Sequence, residues 1–416
     1  MRKIGLSITA AMLLAAGMSS VASASALENI VSNPKVSLEV RPRYEYVDQD
    51  GISEEANAVT VRTALGLNAQ LFEVEGLGAQ FQVMNVTALN DDYAPEQAGY
   101  PVVADPEQTR VTQANISYTV NGFTTIVGRK MVTLDNHRFI GNVGWRQMPQ
   151  TYDLAAVVYN GIENLNLLGA YVWNVNRIFA TDGDGPKNKH LSTGSVLLHA
   201  SYKVMPELTI TAYDYMIENL MDHIGLRLTG KVDLSGVKVG YTAEYAIQDD
   251  PSLDDSDDPL YSPTRKQDTE YYNLAVDASY NGFIGGLGFE HLGDKGSGDM
   301  AFSTPLATLH AMNGWADVFL STPDEGLEDF TVKLGYNAGE YGKIVGIYHS
   351  FSSDTNNAAG DDDLGDELDI AYNYKINKNL GLLLKYADYN AGDTSFGKKD
   401  VTKYWVQLDY KFSAGL

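Results

Sequence analysis

The chain contains no cysteine, which excludes a disulfide framework, a thiolate metal centre and a cysteine nucleophile. Lysine and arginine number 30 against 54 aspartates and glutamates, a formal charge of −24. A chain so short of cations lacks the basic footprint that displaces counterions from phosphates, and nucleic acid is excluded as a partner. No Pro-rich or Ser-rich linker divides it into domains. Past the first residues, no apolar run approaches the roughly 20 residues of a spanning helix. If the mature chain crosses a bilayer it does so as a closed barrel, the other structure that satisfies every backbone group in lipid. Neither G-x-S-x-G nor H-E-x-x-H occurs, and no acidic stretch matches the calcium loop of a helix-loop-helix hand, so no catalytic residue, metal or cofactor is expected.

The one compact apolar run is at the start. Arg2 and Lys3 precede Ile4 to Gly17, and Ala22, Ala24 and Ala26 offer A-x-A cleavage sites. That pattern predicts an export signal over residues 1–26 and a single mature unit over 27–416. Within the unit, segments of about ten residues alternate apolar and polar, the signature of a transmembrane antiparallel β-barrel. Val36, Leu38, Val40, Tyr44 and Tyr46 face one way, and Ser37, Glu39, Arg41, Arg43 and Glu45 the other. Tyr404, Val406, Leu408, Tyr410 and Phe412 likewise oppose Lys403, Trp405, Gln407, Asp409 and Lys411. The 26 tyrosines, many at segment ends, suit interfacial girdles.

Connections alternate between short and long, as barrel turns and outer loops do. Short turns fall near Glu73 to Gly76, Asn121-Gly122, Gly161 to Glu163, Met205 to Glu207, Asp233 to Gly236, Asn281-Gly282, Gly339 to Gly342 and Asn377 to Asn379. One outer connection, near Asn219 to Asp222, is tight. Trp315 to Ser321 alternates too, but a strand there would put the acidic stretch Ser353 to Gly365 among the short turns. Placing it in a loop gives an all-β fold of about 18 strands with both termini periplasmic. A barrel this wide needs something to narrow it, and loops 133–150 and 293–327 are expected to fold inward.

Sorting charge by parity separates the acid from the base. Asp249, Asp250, Asp254, Asp255, Asp257 and Asp258 share one loop, and Asp361, Asp362, Asp363 and Asp366 another. Inward positions carry Arg41, Arg43, Arg62, Arg227, Lys231, Lys238, Lys333, Lys375, Lys385, Lys403 and Lys411, against Glu39, Glu45, Glu244, Glu367, Asp369 and Asp409. A net basic lumen favours anions. The competing reading is that these groups form cross-strand ion pairs that only stiffen the wall.

The stretch Gly128 to Asp153, GRKMVTLDNHRFIGNVGWRQMPQTYD, resembles the alginate-export family of outer-membrane porins, as do Gly314 to Asp329, GWADVFLSTPDEGLED, and the weaker matches Glu367-Leu-Asp and Lys385 to Ala391. The resemblance implies an 18-stranded monomeric barrel with an arginine-rich anion pathway. It makes Arg129, Arg138, Arg146 and Gln147 candidates for that pathway, with Trp145 and Asp153 holding the loop, Asp317 pairing with one of the arginines and Trp315 packing beside it. Guanidinium forks suit the carboxylates of an acidic sugar polymer.

These readings converge on passive, anion-favouring passage across the outer membrane of a Gram-negative bacterium. The expected partners are lipid and lipopolysaccharide, an anionic solute or acidic polysaccharide, and, if the traffic is export, a periplasmic protein. The alternatives are a general small-solute diffusion porin, an outer-membrane enzyme using His199 and Ser201, and a soluble carbohydrate-binding β-protein that buries its apolar face.

Overall fold

The computed structural model describes residues 30–179, 190–258 and 260–415. The expected export signal over residues 1–26 lies outside them. Among the described residues eighteen strands follow in sequence and pair antiparallel. They are β1 (Val31–Gln49), β2 (Ala56–Leu71), β3 (Leu77–Ala88), β4 (Gln108–Val120), β5 (Phe123–Lys130), β6 (Thr151–Tyr159), β7 (Leu165–Asn176), β8 (His190–Met205) and β9 (Leu208–Ile217). The second half comprises β10 (Met221–Leu234), β11 (Val237–Asp249), β12 (Asp268–Tyr280), β13 (Phe283–Leu292), β14 (Leu327–Asn337), β15 (Lys343–Ser352), β16 (Asp363–Lys375), β17 (Leu380–Asn390) and β18 (Val401–Gly415). β1 pairs with both β2 and β18, so the sheet closes on itself.

The predicted strand number and turn positions hold. Asn121-Gly122 and Asn281-Gly282 are two-residue hairpins with both residues at positive φ (49° and 81°, 47° and 86°), the twist that matches paired strands and that Asn-Gly tolerates. Trp315 to Ser321 lies in the β13–β14 loop. Asp249 ends β11 while Asp363 and Asp366 belong to β16, so the acidic loops are slightly shorter than the sequence suggests. Leu327 is the first residue of β14 and not the last of its loop.

Parity decides what surrounds the barrel. Outward positions expose large apolar side chains, including Leu274 at 56%, Leu287 at 52% and Leu334 at 68%. A continuous surface of this kind needs hydrocarbon around it. Aromatic rings mark both edges of the band: Tyr46 stacks on Tyr404 at 4.4 Å toward the long-loop end, and Phe283 meets Tyr336 at 4.9 Å at the short-turn end.

Inside, the long-loop half is packed. The β5–β6 loop (131–150) and the β13–β14 loop (293–326) are spliced by two backbone bonds, Gly141 N–H to Leu306 O and Thr308 N–H to His137 O, both 2.9 Å. From this splice Phe139, Phe302 and Leu306 are buried among inward-facing Tyr213, His223 and Tyr271. Burying each large apolar side chain contributes roughly 1.5–3 kcal/mol.

If lipid covers the outward face, Leu274→Arg should cost about 2–4 kcal/mol near mid-bilayer. The neighbouring inward change Ala275→Ser should be near neutral. Equilibrium urea unfolding in lipid vesicles measures both.

Candidate functional site

β1, β2 and β18 are adjacent, so alternation stacks their inward residues into rows across the barrel wall. Arg41 and Arg62 are direct register partners, an arrangement in which like charges repel. Each turns to a carboxylate of its own: Arg41 Nε donates to Asp409 at 2.7 Å and Arg62 Nη2 to Glu39 at 3.1 Å. Arg43, 2% exposed, donates to its partner Gln407 at 2.9 Å and to Asp105 of the β3–β4 loop at 3.0 Å.

The β5–β6 loop lands on this row through Gly144 to Gln147. Arg41 Nη1 donates to Gly144 O at 3.0 Å and Arg43 Nη2 to Trp145 O at 2.5 Å. Arg146 Nη1 reaches both oxygens of Glu45, at 3.0 and 2.9 Å, and Nη2 reaches Asp317 at 2.7 Å. The Gln147 backbone N–H donates to Asp105 at 2.7 Å, and its side chain to Thr60 at 3.0 Å.

Asp317 brings in the second loop. Besides Arg146 it accepts from Lys403 at 3.0 Å and from His310 Nδ1 at 2.8 Å. Its backbone sits at φ 62°, a left-handed conformation that costs a non-glycine residue roughly 1–2 kcal/mol, and two ionic contacts and the His310 hydrogen bond hold it there. Beside it, His310 lies flat on Trp145 at 4.5 Å, and Lys385 Nζ meets His310 Nε2 at 2.7 Å and the faces of Trp315 and Trp145 at 3.6 and 4.1 Å.

The loop charges are set by this company. Burial opposes the ionised form of Asp317, but Lys403, His310 and Arg146 outweigh it and hold the carboxyl well below its ordinary value. Burial also opposes the charge on Arg146, and Glu45 and Asp317 reverse that, raising its pKa. For His310, burial and the Lys385 ammonium win over Asp317 and push the imidazole well below its usual range. It is therefore neutral at pH 7, donating from Nδ1 to Asp317 and accepting at Nε2 from Lys385.

The structure thus unites Arg41, Arg43, Trp145, Arg146, Gln147, Trp315 and Asp317 in one network, with Arg62 at its edge. Other candidates lie apart. Arg129 makes a fork-to-fork pair with Asp153 at 2.7 and 2.9 Å, linking β5 to β6. Arg138, 1% exposed, lies 2.9 Å from Glu290, and Arg227 pairs with Glu244. Lys231 is exposed at the short-turn end, lining a cavity of ≈380 Å³ with Asp277. His199 faces Asp135 at 3.1 Å, while Ser201 accepts from Thr211 at 3.2 Å, so these two residues point to separate partners.

Sequence reasoning missed Asp105, His310, Lys398 and Lys399, all in loops where alternation has no reach. The last two had a visible signal, adjacent lysines in an otherwise acidic outer surface. With Arg146, Lys403 and Asp317 they line a cavity of ≈290 Å³ on the long-loop side of the network.

Removing Asp317 would leave Arg146 and Lys403 each short of a carboxylate. We expect Asp317→Ala to destabilise the closed loop by about 3–5 kcal/mol, the usual cost of breaking a buried ion pair, and to speed amide hydrogen exchange across residues 308–318. Because the Asp317 pKa is depressed in the folded state, its contribution is complete above the ordinary carboxylate value of about 3.9 and is lost only as pH falls through the lower folded value. Loop exchange should accordingly stay slow from pH 7 down to about 4.

No family model matches the chain, and no curated protein does. Solved structures do. OccK8 (OprE) of Pseudomonas aeruginosa superposes with a TM-score of 0.70 at 15% identity, over 93% of this chain and 100% of that one. OccAB4 of Acinetobacter baumannii gives 0.72 at 14%, over 93% and 100%. OpdK of P. aeruginosa, solved with vanillate, gives 0.68 at 14%, over 92% and 100%. These neighbours are outer-membrane porins, channels and not enzymes, and at such identities what the chain shares with them is the closed 18-stranded barrel.

Proposed function

We propose that the protein is an outer-membrane porin for small anionic solutes, carboxylates above all, moving passively through the lumen. The observation that carries this is the cavity lined by Arg146, Lys398, Lys399 and Lys403 against the single carboxylate of Asp317. Arg146 and Lys403 already share Asp317, and Arg146 has Glu45 besides. Lys398 and Lys399 therefore supply the excess positive charge that a rim needs to gather anions.

The basic lumen supports the same direction of selectivity. Arg41, Arg43, Arg62, Lys375, Lys385, Lys403 and Lys411 all belong to the five adjacent strands β16, β17, β18, β1 and β2. They make a stripe down one sector of the wall. Arginines at its middle are ion-paired and give it shape, and the exposed Lys375 and Lys411 continue it to the short-turn end. Arg129, Arg138 and Arg227 hold structural pairs away from this stripe, and we assign them no contact with solute.

Size favours a small solute over a polymer. Buried side chains of two loops fill much of the long-loop half, and the cavity beside them measures a few hundred Å³. The vanillate bound to OpdK is an aromatic carboxylate of that scale. Passage of an acidic polysaccharide is the second reading; its support is the GWRQ block, Gly144 to Gln147, whose arginine lies in the clamp.

Reconstituted in planar bilayers, the protein should favour anions in reversal-potential measurements under a salt gradient. The double change Lys398→Glu with Lys399→Glu should lower or invert that preference while leaving the barrel folded. Equal anion and cation permeability in the unaltered protein would defeat the proposal.

A further inference from the structure

At the long-loop rim, away from the lumen network, His291 ends the outward row of β13, Glu328 opens the outward row of β14 beside it, and Asp354 descends from the β15–β16 loop. One donor atom from each lies within 4.8 Å of the others. We propose that His291 and Asp354, with Glu328 bracing the imidazole, bind a divalent transition-metal ion of the zinc class.

The contacts suit a ligand set better than a hydrogen-bonded cluster. His291 is 4% exposed and its ring stacks on Tyr272 at 4.3 Å and 9°, so its orientation is fixed. Glu328 Oε1 stands 3.3 Å from Nδ1, within hydrogen-bond reach, and settles the proton there. Nε2 then presents its lone pair to Asp354 Oδ2 at 3.8 Å, too far for a hydrogen bond. Two donors on one tetrahedral ion, each about 2.1 Å from it, stand about 3.4 Å apart, so closure by a few tenths of an ångström lets an ion bridge them. A metal-bound imidazole held by a carboxylate on its far nitrogen is the usual supporting arrangement for such ions.

Asp354 is itself placed: its Oδ2 accepts from the Asp294 backbone N–H at 3.1 Å, and Glu328 Oε2 accepts from Ser352 at 3.3 Å. The imidazole selects against magnesium and calcium, which prefer oxygen throughout. His291 and Asp294 precede and open the β13–β14 loop, Glu328 follows it, and Asp354 belongs to a different loop. An ion here would tie His291, at the head of the segment that carries His310 and Asp317 into the lumen, to a second loop, while Glu328 at the segment's far end holds the imidazole. None of this depends on what crosses the barrel.

Titrating zinc chloride into the detergent-solubilised full chain, followed by calorimetry, should show one saturable site that calcium chloride does not compete away. Both His291→Ala and Asp354→Asn should weaken binding by roughly tenfold or more. Asp354→Asn keeps the size of a half-exposed loop residue, so it reads the site even if loss of His291 disturbs folding. Zinc should also raise the Tm of the unaltered protein, and raise that of Asp354→Asn by less at the same zinc concentration. Absence of saturable zinc binding, or equal affinity in both variants and the unaltered chain, overturns the assignment.

Discussion

The pairing of β1 with β18 is the constraint from which the remaining structure follows. An open 18-stranded sheet would leave two rows of unpaired N–H and C=O groups, and in hydrocarbon each unpaired group costs several kcal/mol. Register pairs from Lys35 with Gly415 to Gln49 with Val401 remove both edges. The same closure makes the site. Arg41 meets Asp409, and Arg43 meets Gln407, only because strands more than 350 residues apart in the chain become neighbours.

Once closed, the barrel interior divides. On the β9 to β13 side the two loops pack through rings, with Phe139 against Tyr213, His223, Tyr271 and Phe302. Toward β16, β17, β18, β1 and β2 they are held by charge. A buried ion pair is seldom more stabilising than an apolar contact of equal size, so the charged half needs another justification. Discreteness supplies one: Arg146 can satisfy Glu45 and Asp317 together in one position of the loops, whereas an apolar surface would let them slide. Rings supply adhesion and guanidinium forks supply register, leaving the charged wall as the side along which the proposed anion would move.

Alternation made the strands and turns legible because the side-chain period of two is imposed by the backbone itself, and a one-residue slip would turn Leu274 inward and Asn273 into lipid. Trp315 to Ser321 shows where that signal fails locally: it alternates, yet Asp317 at φ 62° belongs to a turn, and only the count of connections excluded a strand. Parity also located Glu45, Lys385 and Lys403 on the lumen side. It could not say that Arg43 would share Asp105 with the Gln147 backbone, since both partners come from loops whose path is set by tertiary contacts. The partners of Arg41, Arg62 and Arg227, namely Asp409, Glu39 and Glu244, already stood on the inward face in sequence and allowed the ion-pair reading, whereas Asp105, which Arg43 meets, lies in a loop and carried no such signal.

The acidic β15–β16 loop reaches the β17–β18 loop that carries Lys398 and Lys399, Ser395 Oγ donating to Asp361 at 2.6 Å, so the basic cavity opens beside acid. At physiological ionic strength exposed charges fade beyond about 8 Å, so a solute in the cavity responds first to the groups that line it, Lys398, Lys399, Lys403 and Arg146. A small carboxylate fits wholly inside one such screening length and feels a local excess of positive charge. A polyanion does not: its trailing residues would still lie against the acidic loops while its leading unit entered, and each repeat would add repulsion. If the lumen passes anions as proposed, this charge pattern would sort them by length as well as by sign, favouring the short ones that the remaining space also fits.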